Sequence, residues 1–215
     1  MATYDLEEQE QLDALKAWWR RWGDWITWLT AIALLIVAGV NGWRYYESEQ
    51  AKEASAWYES LRSVARSSDI AKVREYATTL TSRYGRTVYA TLGALIASQV
   101  ALEGGDSGLA RDQLQWVIAN SKAAVYIDIA RLRMANILLD QKSFDAAMEE
   151  VGSPRTEAFK GRFADARGDI LLAQNKTDLA RAAYKEALES KKDDPALRRF
   201  RSIVEVKLSA LGGAQ

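Results

Sequence analysis

Histidine and cysteine are both missing from this 215-residue chain, and proline occurs only twice. Each absence excludes something. Without imidazole there is no general base of the kind that activates a serine nucleophile. Without thiolates there is no disulfide framework and no cysteine-ligated metal site. A transition metal would have to rest on carboxylates alone, and the sequence clusters none, so no metal and no cofactor are expected. The lack of disulfides suits a reducing or an oxidising compartment equally. Two prolines leave long stretches free to be helical. A surplus of charge is missing too: 29 Lys and Arg balance 29 Asp and Glu. Nucleic-acid binders usually carry a basic excess, so no nucleic-acid partner is expected. Sustained period-two alternation is also absent, which predicts an all-α chain without strands.

What is abundant is tryptophan, and it is concentrated. Six of the eight tryptophans fall between Trp18 and Tyr46, and the nineteen residues from Trp25 to Trp43 carry no charge. At about 1.5 Å per residue such a helix spans roughly 28 Å, close to the hydrocarbon thickness of a bilayer. Trp22, Trp25 and Trp28 border one end; Trp43, Tyr45 and Tyr46 border the other. Amphipathic rings favour the headgroup level, so these read as two aromatic belts. A signal peptide would begin with a short basic region and end at a small-residue cleavage site. Here 24 residues precede the segment, with three basic and six acidic side chains, and Val40-Asn41-Gly42 matches a cleavage site poorly. A buried helix of a soluble protein would not need tryptophans massed at its ends. Residues 25–46 are therefore expected to be an uncleaved transmembrane helix, anchored by Trp25, Trp28, Leu34, Leu35, Trp43, Arg44 and Tyr45. Lys16, Arg20 and Arg21 before it outnumber Arg44 and Lys52 after it, which places residues 1–24 in the cytoplasm. Leu12, Leu15, Trp19 and Trp22 form an apolar stripe at helical spacing, making this N-terminal segment amphipathic. The stripe is either a helix on the inner membrane surface or an extension of the span.

Helical periodicity continues beyond Tyr46. Ala51, Ala54, Trp57, Tyr58, Leu61, Val64 and Ala65 mark one helical face, and Ile70, Val73, Ala77 and Leu80 the next. Ser68-Asp69 between them is a helix-start signal. A repeat follows. Ala135, Leu138, Phe144, Ala147 and Val151 reappear 33 residues on as Gly168, Leu171, Thr177, Ala180 and Tyr184. Ser98, Ala101, Ala110 and Leu114 are a looser earlier copy. A small residue on each helix of a pair permits close approach, and a large one fills the groove beside it. That is the tetratricopeptide pattern of about 34 residues. Its signature positions are Ala135, Leu138, Ala147, Gly168, Leu171, Ala180, Tyr184 and Ala187. The turns "EGGDSG", "DQKSF" and "AQNKT" each separate two helices. Leu197, Phe200, Ile203, Val204, Leu208 and Leu211 predict a last amphipathic helix, opened by Asp194-Pro195, that caps the stack. The fold expected for residues 47–211 is a tetratricopeptide-like α-solenoid, with 212–215 as a flexible tail.

No motif for chemistry survives inspection. Gly105-Asp106-Ser107-Gly108 has the letters of a serine-protease loop but no histidine to serve it, and reads as a turn. Asn175-Lys176-Thr177 is a glycosylation sequon by letters and a repeat turn by position. There is no phosphate-binding glycine loop. An enzyme is not expected. A binding scaffold is, because stacked repeats form a concave surface that takes polypeptide segments. Tyr and Arg on first helices are the expected anchors: Tyr126, Arg131, Arg133, Arg162 and Arg167.

A short acidic N-terminus, a span ending Gly42-Trp43-Arg44-Tyr45 and a repeat domain containing "DARGDILLAQNKTDLARAAYKEAL" together resemble the YfgM-like family, ancillary subunits of the SecYEG translocon in Gram-negative bacteria. The resemblance implies an inner-membrane protein with one span and a periplasmic repeat domain. It implies association with SecYEG and with the membrane-anchored periplasmic chaperone PpiD, in handling exported client polypeptides. A homodimer is compatible with this organisation. A second reading keeps the anchor and repeats but assigns them to assembly of another envelope complex, in cell division or in cytochrome or outer-membrane biogenesis. A third, a soluble helical enzyme, has no active site to offer.

Overall fold

The computed structural model describes residues 3–190 and 197–212, and every regular element among them is a helix. The chain divides into two compact units, Met1–Gln50 and Ala51–Gln215. The first unit is formed by helix α1, which spans Thr3–Arg66 and continues into the second. No break occurs at Gly23, Gly39 or Gly42. The span and the Leu12–Trp22 stripe therefore belong to one helix. By length and composition α1 can cross a membrane. Its apolar side chains are open to the surroundings, as a lipid-facing helix requires: Trp25 and Leu35 are more than 70% exposed.

The second unit is a stack of helix pairs. The end of α1 pairs with α2 (Ile70–Arg83), α3 (Val88–Glu103) with α4 (Ser107–Asn120), and α5 (Ala124–Asp140) with α6 (Phe144–Glu150). After a short 3-10 turn at Glu157–Phe159, α7 (Lys160–Ala173) pairs with α8 (Thr177–Glu189), and α9 (Arg198–Ala210) closes the stack. Each pair reverses through one residue at positive φ: Ser68, Gly105, Lys142 and Asn175, which follow one another at 37, 37 and 33 residues. Around the last three the hydrogen bonds are the same. The amides of Asp106, Ser143 and Lys176 donate to the carbonyls of Ala101, Leu138 and Leu171, at 2.8, 2.8 and 2.9 Å. This closure satisfies carbonyls left open at a helix end. Second helices then start at once. Asp69 and Asp106 cap α2 and α4 by accepting from the amides of Lys72 and Leu109.

The repeat positions read from the sequence lie where the helices of a pair meet. Ala135, Leu138, Ala147, Gly168, Ala180, Tyr184 and Ala187 are buried, and Leu171 packs against the terminal core. At Gly168 the approach is close, with the Tyr184 ring occupying the space a Cβ would take. The pair formed by the end of α1 and α2 buries Ala54, Leu61, Val73, Ala77 and Leu80 completely.

The last helix differs from its expected face at one residue. Val204 is fully buried, and Phe200, Leu208 and Leu211 pack beside it, but Ile203 is 48% exposed. A stripe at 200, 204, 208 and 211 already makes the contact, and 203 is rotated about 100° from 204. The expected Asp194-Pro195 start and most of the expected tail lie outside the described residues.

The α5/α6 pair is irregular. α6 has only seven residues, and Pro154 prevents the helix from continuing. The segment after it needs other partners for its backbone. Fully buried Asp128 supplies three bonds, from the Arg155 amide at 2.8 Å, the Thr156 amide at 2.9 Å and the Thr156 hydroxyl at 2.7 Å. Arg131 donates to the carbonyls of Ser153 and Glu149, and Arg167 to those of Val151 and Gly152.

Two substitutions probe these contacts in the full chain. Gly168→Ala puts a Cβ within 2.4 Å of a ring whose hydroxyl is tied to Asp169 at 2.7 Å. The expected loss is about 1–3 kcal/mol, read as a lower denaturation midpoint. Asp128→Ala strips three donors of their acceptor, and its expected cost is on the order of 2–3 kcal/mol. A midpoint unchanged by Asp128→Ala would mean that solvent satisfies the loop instead.

Candidate interaction surface

The first helices of successive pairs are tied side by side. Arg133 on α5 reaches across to donate to the Leu95 carbonyl on α3 at 2.9 Å. Burial holds its guanidinium below its ordinary value. Between α5 and α7, the Arg131 guanidinium lies 5.4 Å from the centre of the Phe163 ring. Arg131 also pairs with Glu150 at 3.5 Å. Burial pushes the Glu150 carboxyl up, and Arg131 opposes that shift.

The common turn sets a common register on these helices. Ser98, Ala135 and Gly168 occupy equivalent buried positions. One residue further along stand Gln99, Asn136 and Asp169; four residues along stand Leu102, Leu139 and Leu172. Three residues before stand Leu95, Leu132 and Asp165, and six before, Leu92, Ile129 and Arg162. These rows run from pair to pair on the first helices, the side that stacked helical repeats turn inward. Gln99, Asn136, Leu102 and Leu172 are exposed; Leu92, Ile129, Leu132 and Leu139 are half-buried. The surface is thus apolar with a central row of side-chain amides. It can bury apolar side chains while Gln99 and Asn136 bond to backbone, which is the chemistry an extended peptide needs.

In the last pair two of these rows are covered, at Asp165 and Asp169, while Arg162 and Leu172 stay exposed. Lys207 of α9 donates to Asp165 at 2.8 Å and to Asp169 at 2.7 Å, and Asp169 also accepts from the Tyr184 hydroxyl. Arg181 donates to the Leu211 carbonyl, and Arg201 to that of Leu188. The capping helix is held by charge-assisted bonds as well as by apolar packing. Burial raises the Asp165 carboxyl despite its bond to Lys207. For Lys207, burial acts downward, but the bonds to Asp165 and Asp169 outweigh it and raise the ammonium. Burial, and then Asp169, raise the Tyr184 phenol.

The five anchors expected from the sequence have other partners here. Arg131, Arg133 and Arg167 bond to backbone carbonyls within the fold, and Arg167 also pairs with Glu186 at 2.6 Å. Tyr126 is half-buried against the core. Arg162 is exposed, lying 5.9 Å from the Phe159 and Phe200 ring centres. The leucine and amide rows were not anticipated. The signal for them was in the repeat itself, at fixed offsets from the small residues that had already been aligned.

Helix pairs joined by one turn geometry, packed through small residues and closed by a capping helix, define a tetratricopeptide-type repeat protein. The family model described as "Tetratricopeptide repeat-like domain" matches residues 16–213. Three proteins called ancillary SecYEG translocon subunit are similar over most of their length. That of Aggregatibacter actinomycetemcomitans is 30% identical over 87% of this chain and 91% of its own. That of Neisseria gonorrhoeae is 27% identical over 96% and 98%, and that of Escherichia coli is 26% identical over 85% and 88%. The chain belongs to the YfgM-like family of tetratricopeptide-repeat proteins to which these subunits belong.

The cap has a pH dependence whose sign follows from the raised values. Lys207 and Tyr184 contribute stability that is present below their unfolded values and lost as pH rises through the folded ones. The Asp165 contribution has the same sign, present below its unfolded value and lost as pH rises through the folded one. The thermal midpoint should therefore fall above the ordinary lysine and tyrosine range. In Lys207→Met it should be lower at pH 7, by on the order of 1–2 kcal/mol, and fall less steeply in alkali. Equal alkaline slopes would remove Lys207 from the account.

Proposed function

We propose that this protein is a non-catalytic scaffold at the Sec translocon of the bacterial inner membrane. Its N-terminal segment is cytoplasmic, residues 25–46 cross the membrane, and the repeat domain works in the periplasm. There it assists periplasmic chaperones, PpiD among them, with newly exported polypeptides. The names of its relatives support the translocon, and the bias of Lys16, Arg20 and Arg21 over Arg44 and Lys52 supports the orientation. The observation that carries the binding role is the row of exposed Leu102 and Leu172 and half-buried Leu139 beside Gln99 and Asn136. An unfolded segment emerging from a channel is extended and partly apolar, and such rows can hold it without reading its sequence. Arg162 stands at the end of the rows, where a client's acidic group would meet it.

The test combines topology with capture. Protease added outside spheroplasts should digest residues beyond Tyr46 and spare the first twenty. From detergent extracts, SecYEG, a periplasmic chaperone and exported polypeptides should enrich with the full chain. Leu102→Glu combined with Leu172→Glu should reduce polypeptide capture severalfold while the translocon still co-purifies. Enrichment of neither translocon nor chaperone above control would sink the proposal. Crosslinking from positions beside Trp43 should name a translocon subunit as the neighbour.

A further inference from the structure

Trp18, Trp19 and Trp22 lie before the charge-free run of Trp25 to Trp43. At about 100° per residue, Leu12, Leu15, Trp18, Trp19 and Trp22 fall within an arc of roughly 120° on α1. All five are exposed. The charged residues Glu10, Asp13, Lys16, Arg20, Arg21 and Asp24 occupy the rest of the circumference. A belt around an upright helix would need no such sidedness. An upright α1 would also carry Leu15 about 15 Å and Leu12 about 20 Å beyond Trp25, past the headgroup layer and into water. A two-sided helix of this kind, with Trp and Leu opposite charge, suits an interface parallel to the bilayer plane.

The junction has the features of a bend. Gly23 is the only glycine between the tryptophan face and the middle of the span, and the Trp19 indole folds over it. The Thr27 hydroxyl donates to the Gly23 carbonyl at 2.8 Å, and the Thr30 hydroxyl to that of Ile26 at 2.7 Å. Side-chain bonds to carbonyls four residues back compete with the helical ladder and bend helices, and glycine adds to that tendency.

We infer that at the membrane the helix, continuous through Gly23 in the structure, bends there and residues 10–22 lie along a bilayer surface rich in anionic lipid. The Leu12–Trp22 face rests at the acyl boundary, and Lys16, Arg20 and Arg21 reach the phosphates by their flexible stems. The inference rests on the reading of residues 25–46 as the span. Continuity with that span keeps the segment at headgroup level, and residues 14–23 carry three basic and no acidic side chains. The Lys16–Asp13 pair, 3.3 Å apart and largely exposed, is too weak to withhold Lys16 from a phosphate.

The native chain has no cysteine, so single labels are clean. Full-length Leu15→Cys, Ala17→Cys and Leu34→Cys variants carry a nitroxide in nanodiscs of phosphatidylcholine with phosphatidylglycerol. The reading is collision with oxygen, which partitions into lipid, against collision with a water-soluble nickel chelate. The Leu15 label should show a severalfold higher oxygen-to-nickel ratio than the Ala17 label on the opposite face. That ratio should fall when phosphatidylglycerol is omitted. Water-like values at both Leu15 and Ala17, with Leu34 in lipid, overturn the inference and leave the span intact. A Leu15 label shielded from both reagents marks a protein contact and also overturns it. An unchanged Leu15 ratio without phosphatidylglycerol overturns the requirement for anionic lipid. A water-like Leu34 label overturns the span itself.

Discussion

Each reversal between paired helices passes through a single residue in the left-handed region, and the stacked domain is organised by that turn. At Gly105 and Asn175 the residue suits the conformation. At Ser68 and Lys142 it does not, so there the packing on either side holds the turn in place. The turn decides where the second helix begins and thereby which small residues face each other. Gly168 and Tyr184 meet because the bond from the Lys176 amide to the Leu171 carbonyl starts α8 at that point. It also decides what remains outside. Leu102, Leu139 and Leu172 each stand three residues before the left-handed residue, with their carbonyls accepting from its amide. One backbone geometry therefore sets both the buried seam and the leucine row beside it.

The irregular pair shows how the stack tolerates a defect. Pro154 cuts α6 short, and a missing helical turn leaves polar backbone without partners. Asp128, Arg131 and Arg167 supply those partners from the neighbouring first helices. A charged side chain buried without bonds would be costly; with three donors around it, Asp128 orders the loop instead. The arginines so used are no longer free to anchor a partner. What remains uncovered on the first helices is apolar and amide-bearing, suited to many extended segments rather than to one charged motif.

The two units expose hydrophobic side chains for different physical reasons. Along the span they surround the helix, because lipid makes no distinction between its sides. On the repeat domain the leucines at equivalent positions of the first helices form a row, because the repeated turn sets the same register on each. The tryptophan face before Gly23 follows neither pattern. It is one-sided, which is why a bilayer surface, itself one-sided, fits it.

Much of this was legible in the amino-acid order. The charge-free run with aromatic ends, the small residues 33 apart and the turn letters follow from local rules of periodicity, and the helices stand where those rules put them. Contacts between residues far apart in sequence were not legible. Nothing local marks Asp128 as buried, Lys207 as the partner of Asp165 and Asp169, or Arg133 as bound to Leu95. Ile203 looked apolar enough to be buried, and only the docking of α9 through Phe200, Val204 and Leu208 turned it outward. The sequence by itself determined the helices, their pairing and the anchor, because these depend on spacing along one chain. The tertiary structure alone decided which charges are consumed inside the stack and which leucines stay open, because that depends on which helices meet.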